Sequence, residues 1–163
     1  MKERELLHSI LTDNNIEKSL QDNDELIRKI IPELNKIVGY KPCKSYPYAD
    51  VWEHTKLALC NSMNNFNVRL TILLREIGLP QASIEDNYLE ISAKTARKIL
   101  ISLGYAMPYA DRICYLIERH IAPITNEETI NNEKLTYERF LIQTCDTYFL
   151  NKEKVIVRKK MNH

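Results

Sequence analysis

The chain has 163 residues, 44% of them hydrophobic and 28% charged, and a formal net charge of +1. That length suits one domain with a real core, and the near-zero charge removes any global electrostatic case for nucleic-acid or membrane binding. Three glycines and six prolines leave little material for the turns of a sheet, so an all-α chain is expected.

The N-terminus, "MKERELLHSILTDNN", places charge before a short apolar stretch and soon turns polar. It reads as neither a signal peptide nor a spanning segment, which makes the cytoplasm the expected location and argues against a membrane. A first amphipathic helix is predicted over "ERELLHSILTD", and a second over "DNDELIRKIIPELNKIV", starting at an aspartate cap and kinked or broken at Pro32. "GYKPCKSYPYAD" carries two prolines and reads as an extended connection.

In "DVWEHTKLALCNSM" Asp50 is a good N-cap and Glu53 completes a capping-box pattern. His54, Leu57, Ala58 and Asn61 share a helical face there, so His54 is expected to point inward. "VRLTILLREIGLP" follows, apolar nearly all round like a central helix, yet ending on Arg75-Glu76 just before Gly78 and Pro80. A buried helix rarely ends on two charges without a partner or a task.

Leu89, Ala93, Ala96, Leu100 and Leu103 repeat at helical spacing up to Gly104, a C-terminal stop. Pro108 suits the first turn of "PYADRICYLIERHI", whose stripe is Ala110, Ile113, Cys114, Ile117 and Ile121, with His120 at its edge. The last helix, "TYERFLIQTCDTYFLNK", holds Asp146 inside an apolar run. The expected architecture is a compact multi-helix bundle forming one domain over residues 1–163, with a helical extension over 1–29 and a basic tail over 151–163. That tail reads as solvated rather than as a phosphate-binding patch. Cys43, Cys60, Cys114 and Cys145 are widely separated and form neither a zinc motif nor a disulfide framework.

His54, Arg75-Glu76, His120 and Asp146 stand out as polar groups on otherwise apolar helices. Metal ions that hydrolyse phosphate esters are held by imidazoles and carboxylates from several helices, and widely spaced single ligands are how such a site looks in sequence. Each residue alone is weak evidence, because a single histidine or aspartate in a core is more commonly just hydrogen-bonded.

"PELNKIVGYKPCKSYPYADVWEHTKLAL" resembles the start of the HD domain that follows the polymerase region in bacterial CCA-adding tRNA nucleotidyltransferases. "LTILLREIGLP", "LEISAKTARKILISLGYAMPYADRICYLIERHI" and "TYERFLIQTCDTYF" fit in order, so the resemblance covers roughly residues 30–150. "DVWEHT" and "LREIGLP" are its most specific parts. It implies an HD-like helical bundle and descent from metal-dependent phosphohydrolases, whose ligands are a His, a His-Asp dipeptide and a distant Asp. By that resemblance His54 holds the first His position, and Arg75 and Glu76 stand where the dipeptide belongs. Tyr88 falls near another family His, and His120 and Asp146 match the later His and the closing Asp.

Arginine has no lone pair to give and keeps its charge, so Arg75 cannot ligate a metal. It is instead expected to bridge Glu76 and Asp146 and to replace the cation's charge. No metal or other cofactor is then expected. Were a divalent metal present, His54, Glu76, His120 and Asp146 would hold it, although the extra methylene of Glu76 displaces the oxygen.

The chain is too short for a nucleotidyltransferase head and lacks its Gly-Ser and paired-acid signature, so the resemblance does not carry that activity. The expected function is a degenerate HD domain binding a nucleotide, RNA or protein partner. The alternative is a metal-dependent phosphohydrolase with an altered site. Lys56, Arg69, Arg97 and Arg119 are candidate phosphate contacts in either case.

Overall fold

The computed structural model describes residues 2–82, 87–125 and 135–145. Among them there are helices and no strands: α1 (Lys2–Leu11), α2 (Ile16–Ile30), α3 (Val51–Cys60), α4 (Phe66–Leu74), α5 (Tyr88–Ser102), α6 (Met107–Arg119) and α7 (residues 135–145). Short 3-10 turns cover Pro32–Lys36 and Leu79–Gln81. No helix among the described residues is long and apolar enough to cross a membrane.

The expected central helix is α4. Every residue from Val68 to Leu74 is buried, and the helix touches α1, α3, α5 and α6. Its lack of a polar face is the reason: a helix apolar all round must be covered on every side. Arg69 lies within it at 3% exposure because its guanidinium donates to the Leu11 and Asp13 carbonyls at 2.7 and 2.9 Å and to Ser62 Oγ at 3.1 Å. These bonds tie the end of α1 to α4, so Arg69 is structural rather than a phosphate contact. Arg97 pairs with Asp111, and Lys56 with Glu53.

The second helix starts earlier than expected. Asn15, not an aspartate of the "DND" stretch, is the cap, its side chain accepting from Lys18 N. Ile16, Leu20 and Ile27 carry the buried stripe through that stretch, while Asp22 pairs with Lys18 and Asp24 with Arg28 at i,i+4 spacing. Asp24 also accepts from Trp52 Nε1 at 2.8 Å and so links α2 to α3. The helix ends at Ile30, just ahead of Pro32, as a proline lacking its N–H requires.

Two face assignments change. On α3 the core face is Val51, Trp52, Thr55, Ala58 and Leu59, whereas Leu57 is 39% exposed and Asn61 is exposed. At the end of α6 the helix stops at Arg119, and beyond it His120 is buried while Ile121 is 62% exposed. Asp50 caps α3 as expected, accepting from Glu53 N at 2.7 Å and from Gly39 N at 2.7 Å. The Glu53 carboxylate, however, pairs with Lys56 at 2.6 Å. All four cysteines are free thiols.

Gly78 fixes the turn after α4. Its N–H donates to Ser92 Oγ at 2.9 Å, and a Cβ there would lie 2.6 Å from Ser92 N and 2.9 Å from Ile91 Cγ2. Gly78→Ala is therefore expected to cost about 2 kcal/mol by overpacking, lowering Tm by roughly 4–8 °C. Thermal unfolding followed by circular dichroism checks it, and an unchanged Tm would show that α5 is free to move away.

Candidate functional site

The strongest local signals of the sequence converge on one cavity of about 320 Å³, lined by Tyr46, Pro47, Tyr48, His54, Arg75, Glu76, Tyr88, His120 and Ile121. Each element delivers its residue at or near an end. Asp50 starts α3 so that His54 sits in its first turns. Arg75 is the C-cap of α4, its N–H bonded to the Thr71 carbonyl at 2.9 Å, and Glu76 begins the following turn. Tyr88 opens α5 and His120 closes α6. Thus His54, Arg75, Glu76 and His120, scattered over 67 positions of sequence, line one cavity together with Tyr88. Asp146 lies outside the described residues.

His54 Nδ1 is 3.0 Å from Glu76 Oε2, with only 14% and 13% of the two side chains exposed. Burial pushes the Glu76 carboxyl upward, but the His54 hydrogen bond and the positive charge of Arg75 outweigh it, and the net shift is below the ordinary value of 4.5. Glu76 is accordingly an anion at neutral pH. A carboxylate only accepts hydrogen bonds, so His54 donates to it from Nδ1–H. His120 likewise donates from Nδ1, to the Ile117 carbonyl at 2.7 Å, since a carbonyl only accepts.

Arg75 is 1% exposed. A guanidinium in that position keeps its charge and acts on Glu76 next to it. The expected hydrogen-bonded bridge from Arg75 to Glu76 and Asp146 includes a residue outside the described ones; what is described is the charge of Arg75 acting on Glu76. Among those residues no three His, Cys, Asp or Glu side chains are grouped as metal ligands would be. The set that lines the cavity does not fit a divalent cation, since a fixed positive charge sits in the wall and one Glu76 oxygen is held by an imidazole N–H.

The aromatic side of the cavity was not visible as a site in the sequence. Tyr48 stacks on His54 with ring centroids 4.3 Å apart and planes 20° from parallel, and Tyr46 meets both rings edge-on. These residues come from the proline-containing segment that the sequence presents as an extended connection. Its "YPY" triplet just before a helix cap was the available signal. Burial, and then the Glu76 carboxylate, push the Tyr46 hydroxyl well above its ordinary range, so it stays protonated. Chemically the cavity offers tyrosine rings, a guanidinium, a carboxylate and two imidazoles.

The pH dependence of the His54–Glu76 pair has a definite sign. A carboxyl whose folded pKa is lowered stabilises the fold above the unfolded value, here 4.5, and loses that contribution as pH falls through the lowered value. His54→Ala removes one cause of the lowering while burial still acts. Its acid-unfolding midpoint should move to higher pH, and at pH 7 it should lose about 2 kcal/mol, the scale of a hydrogen bond to a charged group. Urea unfolding between pH 3 and 8 measures both; an unshifted acid limb would mean that His54 does not hold Glu76 ionised.

Compared with protein-family models, with curated proteins and with solved structures, the chain matches none.

Proposed function

We propose that this chain is a degenerate HD-type helical domain that has lost metal-dependent phosphoester hydrolysis and uses the remaining cavity to bind a nucleotide, free or as one unit of an RNA strand. The observation that carries the reading is the burial of Arg75 in the cavity wall beside an ionised Glu76. A permanent cation at the position that the resemblance gives to a metal ligand supplies positive charge without a metal.

Size and lining support a nucleotide over a protein partner. A volume of about 320 Å³ is at the small end of small-molecule sites and far below a protein interface. The Tyr48–His54 stack offers an aromatic surface of the kind on which bases stack, and Arg75 is suited to a phosphate oxygen. The alternative, a phosphohydrolase with a metal site rebuilt from His54, Glu76, His120 and Asp146, has in its favour that both histidines donate from Nδ1 to an acceptor, as ligating imidazoles do from their outer nitrogen. Against it stands the Arg75 guanidinium on the same cavity as His54, Glu76 and His120.

Calorimetric titration with AMP, GMP, CMP and UMP is the test. Saturable binding of at least one is expected, weakened roughly tenfold or more in Arg75→Lys, which keeps the charge but loses the two-pronged hydrogen bonding, in line with about 1.5–3 kcal/mol for a charged hydrogen bond. Arg75→Lys must retain native ellipticity for the comparison. No binding by any of the four would overturn the nucleotide reading, and metal-dependent phosphate release abolished by His54→Ala would establish the alternative.

A further inference from the structure

On the face of the bundle formed by α2 and α3 lies a groove of about 320 Å³, lined by Glu17, Leu20, Gln21, Asp24, Glu53, Lys56, Leu57 and Cys60. None of these residues belongs to the cavity described above. Leu57 is 39% exposed, placing a large apolar side chain on the groove wall that the α3 core does not need. Three carboxylates rim the groove against one lysine, and Lys56 is already engaged by Glu53 at 2.6 Å and Asp24 at 3.7 Å. Among the described residues Glu17 has no ion-pair partner. An apolar floor with an acidic rim fits a segment that alternates basic and apolar residues.

The chain itself carries such a segment, and the last described residue before it lies beside this groove. Residues 151–163 hold Lys152, Lys154, Arg158, Lys159 and Lys160 against the single acid Glu153, with Val155, Ile156 and Val157 between the basic groups. The last described residue, Cys145, has its Sγ 3.7 Å from the Asn61 carbonyl. Asn61 is the C-cap of α3 and directly follows Cys60 of the groove. From Glu53 to Cys60 the groove side of α3 runs about 10 Å at the helical rise. The seven residues from Cys145 to Lys152 reach up to roughly 23 Å when extended, so 152–160 has the length to lie along it.

We propose that the basic segment 152–160 of this same chain docks in the α2–α3 groove, its lysines and arginine meeting Glu17 and Glu53 and its valine-isoleucine core covering Leu57. This surface is independent of the nucleotide cavity, and the proposal stands or falls separately from that reading.

Zero-length carbodiimide coupling of the full chain, followed by peptide mass spectrometry, tests it. Amide bonds from Lys152, Lys154, Lys159 or Lys160 to Glu17 or Glu53 are expected in the monomeric fraction. The surface pairs Lys18–Asp22 and Lys94–Glu90, both 2.8 Å apart, serve as positive controls. A second readout is alkylation of Cys60, whose thiol lines the groove: reversing charge with Arg158→Glu/Lys159→Glu/Lys160→Glu should speed it severalfold in a chain of unchanged ellipticity. Control bonds without tail-to-groove bonds would overturn the proposal, as would unchanged Cys60 alkylation. Tail-to-groove bonds confined to a covalent dimer would also overturn it, and would make the occupant a second copy of the chain.

Discussion

A guanidinium does not give up its proton inside a protein, so burying Arg75 to 1% exposure obliges the surroundings to compensate a full positive charge. Much else at this end of the bundle follows from that constraint. Glu76 stays ionised although burial opposes it, because Arg75 and His54 both favour its charged form. The ionised Glu76 in turn holds the His54 ring through the 3.0 Å contact, and His54 presents a ring face on which Tyr48 stacks. The chain of causes thus runs from one side chain at the end of α4 to the aromatic rim of the cavity.

The bundle around it is organised so that these charges sit at helix ends. Residues Val68–Leu74 of α4 are covered all round, and the first place where its chain can meet a cavity is beyond its last turn. The turn holding Arg75 and Glu76 is closed by Gly78 against Ser92 of α5. The close approach of α5 therefore also positions Tyr88, at the start of that helix, on the same cavity. Packing and site geometry are here one constraint.

How much of this the sequence discloses depends on the physical signal involved. A helix apolar on every side is legible, and so are a cap such as Asp50 and a stop such as Gly104, because each is local chemistry. The start of α2 is not: aspartates that look like caps sit in mid-helix once Lys18 and Arg28 neutralise them, and the apolar stripe from Ile16 decides. His120 and Ile121 exchange roles because α6 ends one residue before the histidine, so helical periodicity no longer applies to either. His54, Arg75, Glu76 and His120, all four of which line the cavity, are legible as polar groups on otherwise apolar helices. The tyrosines of the "YPY" connection are not, since only the three-dimensional path of that connection carries Tyr48 over His54.

The central claim is that Arg75 supplies the charge a metal would otherwise bring. The most direct measurement is the metal content of the purified protein by elemental mass spectrometry, before and after loading with manganese, nickel or iron. The account predicts that well-folded protein retains no stoichiometric metal under any loading. Near-stoichiometric metal that is lost in His54→Ala would contradict it and would make Arg75 a neighbour of the ion rather than its replacement.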